Sequence, residues 1–116
     1  MKTKHLLPSL REKKRYIAFD VLSQHAVSFR QAADAITDSA LTFLGVKGVA
    51  DAGINAVTER WDAKGPAGVV RVSHKHVDNV KASFLFITDI EGHHATVRST
   101  CVSGSLANTG ISKEVQ

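Results

Sequence analysis

From Tyr16 to Ser23 the chain alternates, with Ile17, Phe19 and Val21 on one side and Tyr16, Ala18, Asp20 and Leu22 on the other. Period two in aromatic and β-branched residues predicts a strand, and its two mostly apolar faces predict a central one. Asp20 is the exception: there it must face solvent or pair with a cation of the preceding basic segment. The period then changes. Ser28-Phe29-Arg30-Gln31 reads as a capping box, and Phe29, Ala32, Ala33, Ile36, Ala40, Phe43 and Leu44 recur at helical spacing. Gly45 reads as the C-terminal cap of that helix. Val46 to Gly53 is small and nearly uncharged, either a loop or a turn of helix. Ile54 to Trp61 alternates as a second strand, Asp62 to Gly68 is dense in turn formers, and Val69 to His74 is a third strand that closes a hairpin. Val77, Val80, Phe84 and Ile87 then return at helical spacing, so His76 to Thr88 is expected as a second amphipathic helix, with Leu85 and Ile90 widening its stripe. Glu91-Gly92-His93-His94 reads as a turn, and Ala95 to Val102 alternates as a fourth strand.

The order strand–helix–strand–strand–helix–strand predicts an α+β fold, a ferredoxin-like split βαββαβ sandwich. Its four-stranded antiparallel sheet would carry both helices on one face. The expected organisation is a basic arm over residues 1–15, one domain over 16–104 and a polar tail over 105–116. With 116 residues, 43% of them hydrophobic, the chain can bury a core without staples. Cys101 is the one cysteine, so no intrachain disulfide forms, and a reducing, cytoplasmic setting is expected. No apolar run approaches the ~18–20 residues needed to cross a bilayer, so no membrane partner is expected.

Charge changes the picture more than composition does. Residues 1–15 hold six basic side chains against Glu12 alone, a net of +5, while the rest of the chain nets −1. The whole positive excess therefore sits on the arm, and an anionic partner is expected there. Such a segment is either a solvated tail or, if Leu6, Leu7, Leu10 and Tyr16 pin it to the body, a phosphate-binding device.

Other chemistry is poorly represented. His74-Lys75-His76, His93-His94 and Cys101 are the metal candidates, but there is no Cys-x-x-Cys and no carboxylate at ligand spacing, so no metal site is expected. Ser103 lies in Val102-Ser103-Gly104-Ser105, which is not a nucleophile elbow, and the glycines form no phosphate-loop signature. No catalytic residues are assigned. Gln24-His25-Ala26-Val27-Ser28-Phe29-Arg30 resembles the phosphate-cradling turn of acylphosphatases, small enzymes of the same split topology. Yet His25-Ala26 and Ser28 stand where that family has glycines. An acylphosphatase-like enzyme, or a ligand-binding ferredoxin-like module, is the alternative reading. The third strand carries no aromatic, which disfavours base stacking on the sheet and favours phosphate contacts.

Four segments together resemble one family: Leu7-Pro8-Ser9-Leu10-Arg11-Glu12-Lys13-Lys14-Arg15-Tyr16-Ile17-Ala18-Phe19, Phe43-Leu44-Gly45, Gly68-Val69-Val70-Arg71-Val72-Ser73-His74-Lys75-His76-Val77-Asp78, and Val97-Arg98-Ser99-Thr100-Cys101-Val102-Ser103-Gly104-Ser105. In this order they resemble ribonuclease P protein component 2, a small subunit of the archaeal and eukaryal tRNA-processing ribonucleoprotein. The resemblance implies an RRM-like sandwich and a non-catalytic role beside ribonuclease P RNA, which removes 5′ leaders from precursor tRNA with its own magnesium ions. It also implies a TIM-barrel partner, component 3, in a heterotetramer. On that basis Arg11, Lys13, Lys14 and Arg15 are expected to contact RNA phosphates, with Arg71, His74 and Lys75 as a second patch. Leu44, Val46, Val49 and Ile54, in a stretch too uncharged for an ordinary loop, are expected to form a contact surface, either between two copies of this chain or with component 3.

Overall fold

The computed structural model describes residues 13–106. Arg11, most of the basic arm and the tail beyond Leu106 lie outside the described residues. Strand β1 spans Lys14–Ser23 and is followed by helix α1, Phe29–Ala52. Then come β2 (Asn55–Ala56), β3 (Ala67–Ser73), helix α2 (Val77–Ser83), β4 (Asp89–Ile90) and β5 (His93–Ser103). The sheet has five strands in the order β2-β3-β1-β5-β4, every neighbouring pair antiparallel.

The alternation in β1 places it at the centre, as expected. Ile17 lies opposite Val70 of β3 and Val102 of β5, and Val21 lies opposite Val97. Ile17, Val21, Val70 and Val97 share the core with Ala32 and Ile36 of α1, Val80 of α2, and Phe84 and Ile87, while Val102 stays exposed, so both helices pack against the face that carries Ile17, Phe19 and Val21. Phe19 is the hub: its ring meets Trp61 at 6.4 Å and Phe84 at 6.1 Å between centroids. Gly68, opposite Phe19, makes room for that hub. A Cβ there would stand 3.0 Å from Trp61 Cε3 and 3.1 Å from Phe19 Cζ.

The structure corrects four sequence expectations. The sheet has five strands rather than four, because Asp89–Ile90 folds back on His93–His94 through Glu91 (φ 54°) and Gly92 (φ 80°). Two successive positive φ values are what a two-residue hairpin turn needs, so His93 and His94 belong to β5 and not to the turn.

The second strand is cut to two residues. Its pairing fades after one further bond, Val57 N–H to the Val69 carbonyl at 2.9 Å, and Thr58–Arg60 forms a 3₁₀ turn. A regular strand would point Trp61 the same way as Asn55, away from the helices. The turn changes that parity, and Trp61 enters the core beside Phe19 and Phe29.

Gly45 has the positive φ expected of a cap (78°), but its ψ of 175° makes a kink, and the helix resumes to Ala52. Gly53 is the true cap, with φ 61° and its N–H donating to the Val49 carbonyl at 3.1 Å. The second helix ends at Ser83, whose buried hydroxyl donates to the Val80 carbonyl at 2.6 Å, and Phe84–Phe86 tightens into a 3₁₀ turn. Leu85 therefore points outward, 79% exposed, while Ile90 is buried from β4 rather than from a helix.

Candidate nucleic-acid interface

Residues that sit apart in sequence meet where β1 begins and β3 ends. Lys14 lies opposite Ser73, and Tyr16 lies opposite Arg71. Beyond the last rung, the His74 N–H donates to the Lys13 carbonyl at 2.9 Å, and His74 Nδ1 lies 3.1 Å from the same oxygen. A carbonyl can only accept, so Nδ1 is the donor in this contact. The Ser73 hydroxyl accepts from the Lys75 N–H at 3.4 Å, turning the chain sharply at the strand end. Among the described residues, the two basic patches of the sequence thus adjoin at one end of the sheet.

Its members are not equivalent. Lys13, Arg71 and Lys75 are exposed, whereas Lys14, Arg15 and His74 are half-buried. Lys14 Nζ lies 3.4 Å from where a Cβ on Gly53 would stand, at the C-terminal end of α1. The negative end of a helix dipole favours a cation there, so Lys14 has a structural task. Arg15 Nη1 donates to the Lys14 carbonyl at 3.1 Å and approaches Gly104.

The segment expected to meet a protein divides. Leu44 and Ile54 pack against the core, Val49 is half-buried, and Val46 stands 78% exposed beyond the kink.

Asp20 pairs with β5. Arg98 Nε donates to its carboxylate at 2.9 and 3.2 Å, and Nη2 at 3.1 Å. The hydrogen bonds to Asp20, followed by its charge, raise the Arg98 pKa. The sequence carried half of the signal: Asp20 is the lone charge on an otherwise mostly apolar side of its strand and so needed a partner, but nothing in the sequence named Arg98. The stacking of His25 on His93, 3.8 Å between ring centroids, had no such signal. It follows from the register that sets Ser23 against Ala95. Among the described residues, no group of three or more His, Cys, Asp or Glu is arranged to hold a metal ion.

Fold and edge together define the class: a small α+β domain whose central strand starts from a cationic margin suited to a polyanion. A family model described as the Rpp14/Pop5 family matches residues 15–110, and the chain belongs to that family. Its relatives include ribonuclease P protein component 2 of Thermococcus gammatolerans, 38% identical over 105 residues, which cover 90% of this chain and 86% of the relative. The protein of the same name from Methanosarcina mazei is 34% identical over 103 residues, 89% of this chain and 85% of the relative. Among solved structures, a chain in the cryo-EM structure of yeast ribonuclease MRP shares the fold. Its TM-score is 0.64 at 18% identity, over 82% of this chain and 76% of that one.

Proposed function

We propose that this chain is a protein subunit of ribonuclease P, non-catalytic itself, which helps a catalytic RNA remove 5′ leaders from precursor tRNA. The observation that carries the reading is the single edge formed by Lys13, Arg71, His74 and Lys75, on a member of a family whose archaeal relatives bear that name. Cations fixed on a rigid strand end neutralise phosphates that would otherwise need magnesium, and so favour the RNA's compact, productive form. Magnesium belongs, on this reading, to the RNA. The protein works in the cytoplasm beside a TIM-barrel component 3, in a heterotetramer. Without β4, the order of β2, β3, β1 and β5 supports a ferredoxin-like, RRM-like unit with one strand appended.

The acylphosphatase alternative loses its support at the helix start. The Ser28 hydroxyl accepts from the Gln31 N–H at 3.2 Å and Gln31 Oε1 accepts from the Ser28 N–H at 3.0 Å, so side chains of this chain occupy donors that a phosphate cradle would offer. Arg30 stands 88% exposed, 4.0 Å from Asp34.

Reconstitution tests the proposal. Added to a ribonuclease P RNA with component 3, the chain should raise precursor-tRNA cleavage and lower the magnesium required. Nuclease-cleared protein alone should leave the substrate intact. Cleavage without RNA, abolished by a single side-chain change, would overturn the assignment.

A further inference from the structure

A groove of about 310 Å³ lies between α1 and the residues that lead into β4. Asp34, Asp38, Asp89 and Glu91 line it, all exposed, and among the described residues no lysine, arginine or histidine does. Arg30 reaches Asp34 only at 4.0 Å, with both side chains mostly in solvent, which neutralises little. Four of the nine acidic side chains among the described residues therefore surround one concavity. That arrangement repels phosphate.

The groove also has an apolar end. Phe86 lines it, 50% exposed, and its ring meets Phe43 of α1 edge-on at 5.1 Å; Phe43 is itself 42% exposed. Aromatic side chains left half in water beside a rim of one charge sign have the make-up of a protein-docking surface.

Its position fits a separate partner. The cationic edge is at the start of β1, whereas β4 and the beginning of β5 are at its end, where Ala95 pairs with Ser23. A ten-residue strand sets those ends about 30 Å apart. RNA on the one leaves the other open.

Taking the chain as a subunit of the ribonucleoprotein, we propose that this groove docks a lysine- or arginine-bearing segment of another protein subunit, with an apolar side chain seated on the Phe43–Phe86 pair. Complementary charge decides for a protein over RNA and for a cationic segment over an acidic one.

The test places the photo-crosslinker p-benzoylphenylalanine at position 86 of the full chain, in a particle reconstituted from ribonuclease P RNA and its purified protein subunits. The proposal expects crosslinks to a lysine- or arginine-bearing segment of a different subunit. A crosslink to RNA, to a second copy of this chain or to its own basic arm would overturn it, as would the absence of any protein crosslink. Because Asp38 and Asp89 are exposed, Asp38→Asn with Asp89→Asn should leave the fold intact and weaken binding of the crosslinked subunit about five- to tenfold at ~0.15 M salt. An unchanged Kd would also overturn it. Cleavage by the particle with and without the wild-type chain separates the two readings. Stimulation with a misplaced crosslink defeats only the docking proposal, whereas no stimulation defeats the subunit reading and the docking with it.

Discussion

Replacing Lys13, Arg71 and Lys75 together with alanine tests the cationic edge at its exposed members. All three side chains lie on the surface, so folded stability should change by no more than about 0.5 kcal/mol per site. Lys14 is left in place because its ammonium sits at the end of α1, and removing it would mix stability with binding. Each neutralised phosphate releases counterions and steepens the dependence of log K on log salt by ~0.7–0.9. Removing three cations that each neutralise one phosphate should flatten the slope by about 2.1–2.7. Carried from ~1 M salt, where the electrostatic term vanishes, to ~0.15 M, that is about a 50- to 170-fold loss of RNA affinity. Filter binding of ribonuclease P RNA over a salt series measures both quantities at once. The loss should be similar for RNAs of different sequence, since phosphates carry no sequence. Parallel salt plots for variant and wild type would refute the reasoning, even if affinity fell, because the loss would then not be electrostatic.

Three further outcomes follow from the fold. Gly68→Ala should destabilise by about 1–3 kcal/mol in urea, since its Cβ would meet Trp61 and Phe19 at 3.0 and 3.1 Å in the core. Gly45→Ala meets nothing within 4 Å but must hold φ 78° with ψ 175°, a conformation open essentially to glycine alone; it should cost about 1–3 kcal/mol of backbone strain, or straighten the kink and alter the far-UV spectrum. Asp20→Asn should lower the melting temperature by an amount that stays constant between about pH 6 and pH 9. The raised pKa of Arg98 means that its contribution is complete below the ordinary guanidinium range and is lost only as pH climbs through the folded value. A difference that collapsed within that window would show the pair is not its source.

Elements that bury one face were legible in the sequence, because burial imposes a period. The alternation of Ile17, Phe19 and Val21 located the central strand, and Val80, Phe84 and Ile87 are buried as their spacing required. What stayed hidden was set by single residues acting against the period. Gly45 announced a positive φ, but whether the chain then leaves the helix or re-enters it depends on what Ala52 finds to pack against. Trp61 read as the end of a strand, yet the volume beside Phe19 claimed its ring and broke the strand to deliver it. Glu91-Gly92 did signal a turn, though not that Asp89–Ile90 would pair across it. For the site, composition identified the basic residues, but only the register could join Lys13 to His74, 61 positions apart, or divide Lys14 from its exposed neighbours.

The same register explains why RNA should meet the end of the sheet and not the face turned away from the helices, where Ala18 and Val69 are fully buried. That face carries the side chains of β1 that alternate with the core: Tyr16, Ala18, Asp20 and Leu22, flanked on β3 by Arg71, Val69 and Ala67. Tyr16 is the one Phe, Tyr or Trp that these positions present, and it is half-buried, so a stack of two or three bases has no platform. The middle of the face is held by Asp20 and Arg98, whose charges cancel and whose hydrogen bonds already satisfy each other. A phosphate approaching Arg98 would have to displace a carboxylate held at two points, and a base would lie over a polar pair with few groups left to bond. At the end of that face, by contrast, Arg71 stands exposed, with Lys13 and Lys75 exposed just beyond it, on a backbone fixed by the rungs Tyr16–Arg71 and Lys14–Ser73. Their positive field is thereby concentrated at one end of β1, where it can grip a phosphate backbone by shape without reading its sequence, as a partner of a structured RNA must.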